Sequence, residues 1–238
     1  MTIRHLGDMA GLLVRVGIDS TDGHWNAPVD VATGEFAYVT ITEVKQLRPG
    51  LARFFDEFVP AISKFQMQLP QALYGKPTHV DPDFSSLTYG DQGRRAKQIG
   101  QLGAGDLLAF FASLRDVRDQ SLVYALVGLY IIDEILSAQS IERKHWPENA
   151  HTRRFPKVDD IVVRARPKVS GRLQKCIPIG EYRNRAYRVK RELLDSWGGL
   201  TVKDGYLQRS ARLPQFREAS KFYDWFLSKS PCLIQNNN

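Results

Sequence analysis

The sequence predicts an α+β fold with a small mixed or barrel-like β-sheet flanked by helices. Two runs rich in Val, Ile, Leu and aromatic residues, Leu107–Ala112 and Leu122–Ile132, read as strands buried on both faces. Two sets of apolar, mostly aromatic residues at i, i+3, i+4, i+7 mark amphipathic helices to cover those faces, and strands and helices follow one another without strict βα alternation.

Each element has its own signal. Leu12–Val16 is a largely buried strand ended by Gly17, and Phe36–Ile41 is a second β-prone run after the turn-like Thr33-Gly34. Leu51, Phe54, Phe55 and Phe58 follow Pro49-Gly50 at helical spacing and predict a helix whose aromatic residues are core. Gly105-Asp106 turns the chain into the first long strand, and the charged Arg115–Asp119 links it to the second. Glu142–Lys157 holds Trp146-Pro147, Asn149 and Phe155-Pro156 and is predicted as a loop. Strands at Ile161–Ala165 and Lys175–Ile179 follow, then a helix over Val189–Trp197 closed by Gly198-Gly199. Ala219, Phe222, Tyr223 and Phe226 place a last helix, and the polar Gln235–Asn238 end is expected to fray.

The 238 residues are 43% hydrophobic and 25% charged, the balance of a folded soluble chain, and are read as a single globular domain over residues 1–238. With only Cys176 and Cys232, a disulfide scaffold and a four-cysteine zinc site are excluded. Arg4, Asp8 and Arg15 interrupt the N-terminal apolar run, which argues against a secretory signal. The longest strongly apolar stretch, Ser121–Ile132, falls short of the roughly 20 residues that span a bilayer. No membrane partner and a cytoplasmic setting are expected.

The net charge of +7 is unevenly placed. Residues 1–140 hold 12 Lys/Arg against 16 Asp/Glu, net −4, while residues 141–238 hold 21 against 10, net +11, all of it within 141–230. A basic segment of that size attracts polyanions by counterion release, nucleic acid being the commonest, although a solvated basic surface has the same composition. The candidate phosphate contacts are Arg164, Arg166, Lys168, Arg172 and Lys175 around Ser170-Gly171, and Arg209, Ser210 and Arg212.

Reactive side chains are densest in two places. The loop Gly17-Ile18-Asp19-Ser20-Thr21-Asp22-Gly23-His24-Trp25-Asn26 gathers Asp19, Asp22 and His24 after the first strand, where a scaffold presents binding groups. Ordinary turn formation also uses these residue types. In Thr78-His79-Val80-Asp81-Pro82-Asp83-Phe84, alternation in an extended segment puts His79, Asp81 and Asp83 on one side, an arrangement suited to proton transfer or to a hard cation. No third ligand stands at a fixed spacing, so no metal is assigned, and no cofactor signature occurs. Capping of the following turn by Asp83 is the structural alternative.

The blocks Gly17–Gly23, His79–Phe84, Gly90-Asp91-Gln92-Gly93 and Gly105–Phe111, in that order, resemble the third type of nucleotide-modification-associated domain over residues 11–217. The resemblance implies a place in DNA-base modification systems of bacteria and phages. Arg94–Gln98 lacks a histidine that the family pattern has on that helix, and Ala112-Ser113 replaces a glycine. More loosely, the Phe110-Phe111 and Leu126–Tyr130 strands resemble the barrel strands of PUA-like domains, which implies a pocket for an unstacked base, with Trp25, Tyr89 or Trp197 as a stacking face. Two functions follow as expectations. One is a nucleic-acid or nucleotide binding protein of a base-modification system, with DNA or a nucleotide as partner. The other is an enzyme with Asp81 or Asp22 as base, His24 or His79 as acid or orienting group, and Arg94, Arg95 or Arg212 on phosphate.

Overall fold

The computed structural model describes residues 9–21, 25–208 and 212–238; Asp22, His24, Arg209 and Ser210 lie outside the described residues. The strands in chain order are β1 (Gly11–Arg15), β2 (Pro28–Asp30), β3 (Glu35–Phe36), β4 (Ile41–Thr42), β5 (Thr78–His79), β6 (Thr88–Asp91), β7 (Leu107–Asp116), β8 (Leu122–Ser137), β9 (Ile161–Ala165), β10 (Gly171–Pro178), β11 (Gly180–Arg183), β12 (Ala186–Val189) and β13 (Leu233–Ile234). The helices are α1 (Val59–Ser63), α2 (Gly93–Ile99), α3 (Ala150–Arg153), α4 (Arg191–Ser196) and α5 (Ala219–Ser228).

Nine strands form one mixed sheet with the path β13-β10-β8-β7-β2-β3, curled as a half-barrel. Its spine is the antiparallel pair β7–β8, in register from Leu107↔Ile131 to Arg115↔Leu122. β1 lies parallel to β7, Gly11↔Leu107 through Arg15↔Phe111. β8 outruns β7, and its far end pairs with β9, which in turn carries β6 with Gly90 opposite Val162. The separate β4–β5 ribbon sets Ile41 opposite His79. These last two pairings deliver the side chains of the site.

Period-two alternation sorts β1 and β7 into two cores. Leu12, Val14, Leu108, Phe110 and Ala112 face Phe55, Phe58 and Ile62, the cover supplied by the chain after Pro49. Leu13, Leu107, Ala109 and Phe111 face Trp197, Phe216, Phe222 and Phe226, under α5. Each of the Val, Leu, Ile and Phe side chains among them contributes roughly 1.5–3 kcal/mol when fully buried. The expected cover on both faces is therefore present.

Several expectations need correction. The helix predicted from Leu51 begins only with a 3-10 turn at Phe55–Phe58 that runs into α1. Phe54 is held out of it by a bridge to Pro77, and the bonds Phe55 N–H to Lys76 O and Thr78 N–H to Arg53 O keep the preceding segment extended. Only the ends of Phe36–Ile41 are strand; Ala37–Val39 are buried but bonded to separate segments, Pro28, Asn238 and Ile18, and not to one partner strand. Val189 closes a hairpin, β11–β12, whose turn residues Asn184 and Arg185 both have positive φ, so the helix starts at Arg191. The segment expected as a loop at Glu142–Lys157 contains a 3-10 helix, Arg143–Glu148, and then α3. The C-terminal end does not fray. Asn237 accepts from the Phe84 N–H and donates to Asp83, and Asn238 makes both amide bonds to the Tyr38 backbone.

Among the described residues no helix is long and apolar enough to cross a membrane. Of the two thiols, Cys232 is exposed and Cys176 is buried in β10, where burial pushes its pKa up to about 12. In the native protein one thiol is expected to react promptly with Ellman's reagent and the second only after unfolding. Prompt reaction of both would show that β10 opens in the native state.

Candidate functional site

His79 ends β5, and the pairing with β4 brings Glu43 against it: His79 Nδ1 lies 2.5 Å from Glu43 Oε2. Lys45 N–H donates to the other Glu43 oxygen at 2.7 Å, so the carboxylate is held from two sides. Burial disfavours a charged His79, but Asp81 and Glu43 outweigh it by hydrogen bonding and charge and raise its pKa from 6.5 to about 9. Burial likewise works against the Glu43 carboxylate, yet the His79 bond and charge hold it below its ordinary value.

Asp81 is buried and accepts the Gly90 N–H on both oxygens, at 2.8 and 3.0 Å. Asn149 Nδ2 donates to its Oδ1 at 3.3 Å and to Thr88 Oγ1 at 3.2 Å. The outer oxygen, Oδ2, faces two imidazoles: His79 Nε2 at 3.7 Å and His151 Nε2 at 3.5 Å.

His151 rides on α3, a helix of one turn that forms because Asn149 caps it, its side chain accepting the His151 N–H at 2.8 Å. His151 Nδ1 lies 3.5 Å from Asp160 Oδ1 and 2.9 Å from the Arg154 guanidinium, which also bonds Asp160 and Gln92. Burial works against the Asp160 carboxylate, but His151, the Lys157 N–H and Arg154 bring its pKa down to about 2. His79, Asp81 and His151 thus form a convergent trio with their ligand atoms all within 4.8 Å of one another.

The trio opens on a cavity of about 300 Å³. Gly17, Asp19, Tyr89, Gln92, Arg95 and Arg212 line it further, and Arg15, Lys45 and Arg154 add positive charge. Gly17, at φ +80, turns the chain away from β1 over the cavity. Asp19 is buried; its side chain accepts the Thr21 N–H and pairs with Arg15 at 2.7 Å. Tyr89 donates its hydroxyl to Asp91, which pairs with Arg95 at 3.0 Å.

Of the candidates read from sequence, Asp19, His79 and Asp81 share this cavity, with Arg212. Asp83 does not line it. It is buried beside Arg153, to which it is ion-paired, and it caps the Ser85 N–H. Arg94 does not line the cavity either. Arg164 pairs with Glu134 and Glu148, and Arg166 with Asp133. Lys168 and Lys175 are exposed. Arg172 is buried under Phe36 and donates to Asn236 and the Leu173 carbonyl, and Ser170 Oγ accepts the Ile131 N–H, so the pair forms no exposed phosphate clamp. Trp197 is core, Trp25 packs against core, and Tyr89 alone of the three suggested stacking residues lines the cavity. His151, Asn149 and Glu43 escape sequence reasoning; an Asn before a helical turn with a histidine two residues on is their only local signal.

Residues 11–216 match the family described as nucleotide modification associated domain 3. No curated protein and no solved structure matches the chain.

Proposed function

This chain belongs to the nucleotide modification associated domain 3 family, and we propose from that premise that the cavity takes one nucleotide unit, free or extruded from DNA, with the His79–Asp81–His151 trio at the reacting end. The family places the chain with a nucleotide modification system. The observation that carries the finer reading is the convergence of two imidazoles on one carboxylate oxygen inside a cavity walled by guanidinium groups. A volume of about 300 Å³ suits a single nucleoside or nucleotide and excludes a stacked duplex. Tyr89 lines that wall, and Arg15, Arg95, Arg154 and Arg212 supply charge for phosphate. The net +11 of residues 141–238 supports DNA as the source of the unit, since it supplies a salt-sensitive attraction that carries no sequence information.

An enzymatic role is favoured over binding alone because the trio is costly to assemble. Glu43, Asp160, Asn149 and the Gly90 N–H all act on its three side chains from behind. A purely packing role needs no such support. The test is a panel of nucleoside monophosphates and short single-stranded oligonucleotides, scored by thermal shift and calorimetry. Asp81→Asn retains an oxygen for the Gly90 N–H, so stability is expected to fall by only about 1 kcal/mol. Affinity for the best member is expected to fall roughly tenfold or more, the worth of a lost charge-assisted hydrogen bond. Absence of any shift across the panel, or unchanged affinity in Asp81→Asn, would overturn the reading.

A further inference from the structure

We propose that His79 Nε2, Asp81 Oδ2 and His151 Nε2 bind a divalent first-row transition metal ion, with the cavity filling its remaining coordination positions. The inference deepens the nucleotide reading by naming what acts at the reacting end, but its geometry stands by itself. With metal–ligand distances of about 2.0–2.2 Å, neighbouring ligand atoms of one ion lie about 3.0–3.5 Å apart. The two histidine nitrogens stand 3.7 and 3.5 Å from the shared Asp81 oxygen, so small side-chain shifts complete the set.

The surroundings are those of a ligand set. A metal-bound imidazole turns its other ring nitrogen to a carboxylate or carbonyl, which fixes the tautomer and raises its basicity. Both histidines have such a partner: Glu43 at 2.5 Å from His79 Nδ1 and Asp160 at 3.5 Å from His151 Nδ1. The Nε2 lone pairs then point together. Arg154 asks for the opposite tautomer of His151, because its guanidinium donates to Nδ1 from 2.9 Å. Metal at Nε2 selects the form that donates to Asp160. The third ligand is anchored too, since Asp81 is held by the Gly90 N–H and by Asn149.

The donor set chooses the class of ion. Two imidazoles and one carboxylate suit Fe²⁺, Co²⁺, Ni²⁺ or Zn²⁺, whereas Mg²⁺ and Ca²⁺ prefer all-oxygen sites. Three protein ligands leave positions open, the pattern of reactive and not structural metal sites. Those positions face the cavity lined by Tyr89, Gln92 and Arg95.

The test uses the whole chain, stripped with chelator and titrated with Co²⁺ alone. Visible absorption and calorimetry are expected to report one ion per chain, unaffected by excess Mg²⁺ and displaced by Zn²⁺. His79→Ala, Asp81→Ala and His151→Ala should each weaken Co²⁺ by more than the roughly 10–100-fold expected for loss of an outer partner, the range predicted for Glu43→Gln. His145→Ala, on a His145–Glu148 pair outside the cavity, should bind Co²⁺ as the parent does. X-ray absorption of the Co²⁺-loaded parent supplies a readout free of folding effects, and two imidazoles per ion are expected. Sub-stoichiometric Co²⁺, absence of imidazole scattering, or equal loss in His145→Ala would overturn the proposal. Because Co²⁺ is titrated without nucleotide, nucleotide binding that survives in a protein taking up no Co²⁺ refutes the metal and keeps the cavity reading; the reverse result does the opposite.

Discussion

Arg153→Leu is expected to lower stability by about 3–5 kcal/mol and the melting temperature by on the order of 10 °C. Arg153 is buried; its Nε donates to the Pro147 carbonyl at 2.8 Å and its guanidinium pairs with the buried Asp83. Asp83 is not free to turn to water. One of its oxygens accepts from Ser85 N–H and Asn237 Nδ2, and its backbone is bonded in both directions to Thr88. Removal of the cation leaves the buried carboxylate with the partly exposed Arg53, 4.0 Å from the same oxygen, as its remaining ionic partner among the described residues, and desolvation is what makes the loss large. Leucine fills most of the volume, so cavity formation is a minor part. Asp83→Asn combined with Arg153→Leu should recover part of the loss, with a coupling above about 1 kcal/mol in a double-mutant cycle. Urea denaturation at neutral pH measures all four proteins. A loss under about 1 kcal/mol in the single variant would show that the pair is solvated.

That pair explains why alternation along His79–Asp83 was only half legible. Spacing placed three side chains together, but β5 ends at His79, and beyond it Asp83 turns to α3 and the C-terminal end while Asp81 turns to the cavity. Burial of both long strands was readable because Val, Ile, Leu and aromatic residues fill consecutive positions, which leaves no polar face. His151 was not readable. It reaches Asp81 only because β8 pairs with β9, β9 with β6, and Gly90 then sits under α3; no periodicity in Glu142–Lys157 encodes that path. Arg172 misled for another reason. A cation in β10 has the same sequence signal whichever way it faces, and only the packing of Phe36 and Asn236 draws the Arg172 stem inward. Docking of Asn237 and Asn238 was hidden because a short polar run has the same composition whether it frays or bonds backbone groups.

The largest effect on the site itself is expected from the smallest substitution, Gly90→Ala. Gly90 lies in β6 opposite Val162, and its N–H is the donor that Asp81 grips on both oxygens. Its backbone is that of an ordinary strand, so space and not conformational freedom demands glycine here. A Cβ would stand 2.8 Å from Asn149 Oδ1 and from His151 Cγ, and closer still to His151 Cδ2. Neither neighbour is the loose end of a flexible chain. Asn149 is tied to Asp81, Thr88 and the His151 N–H, and the His151 ring to Asp160 and Arg154. The methyl group must push α3 away from β6. Overpacking of this kind costs about 1–3 kcal/mol, and a disturbed cap adds about 0.5–2 kcal/mol. The functional loss should exceed the stability loss, because the 3.5 Å approach of His151 to Asp81 depends on α3 staying where it is. Co²⁺ affinity is expected to fall at least tenfold even at temperatures where the variant is fully folded. Gly103→Ala is the control, since a Cβ there meets nothing within 4 Å, and it should change neither property by more than a few tenths of a kcal/mol. A Gly90→Ala protein that keeps both its melting temperature and its Co²⁺ spectrum would mean that α3 does not hold His151 over Asp81.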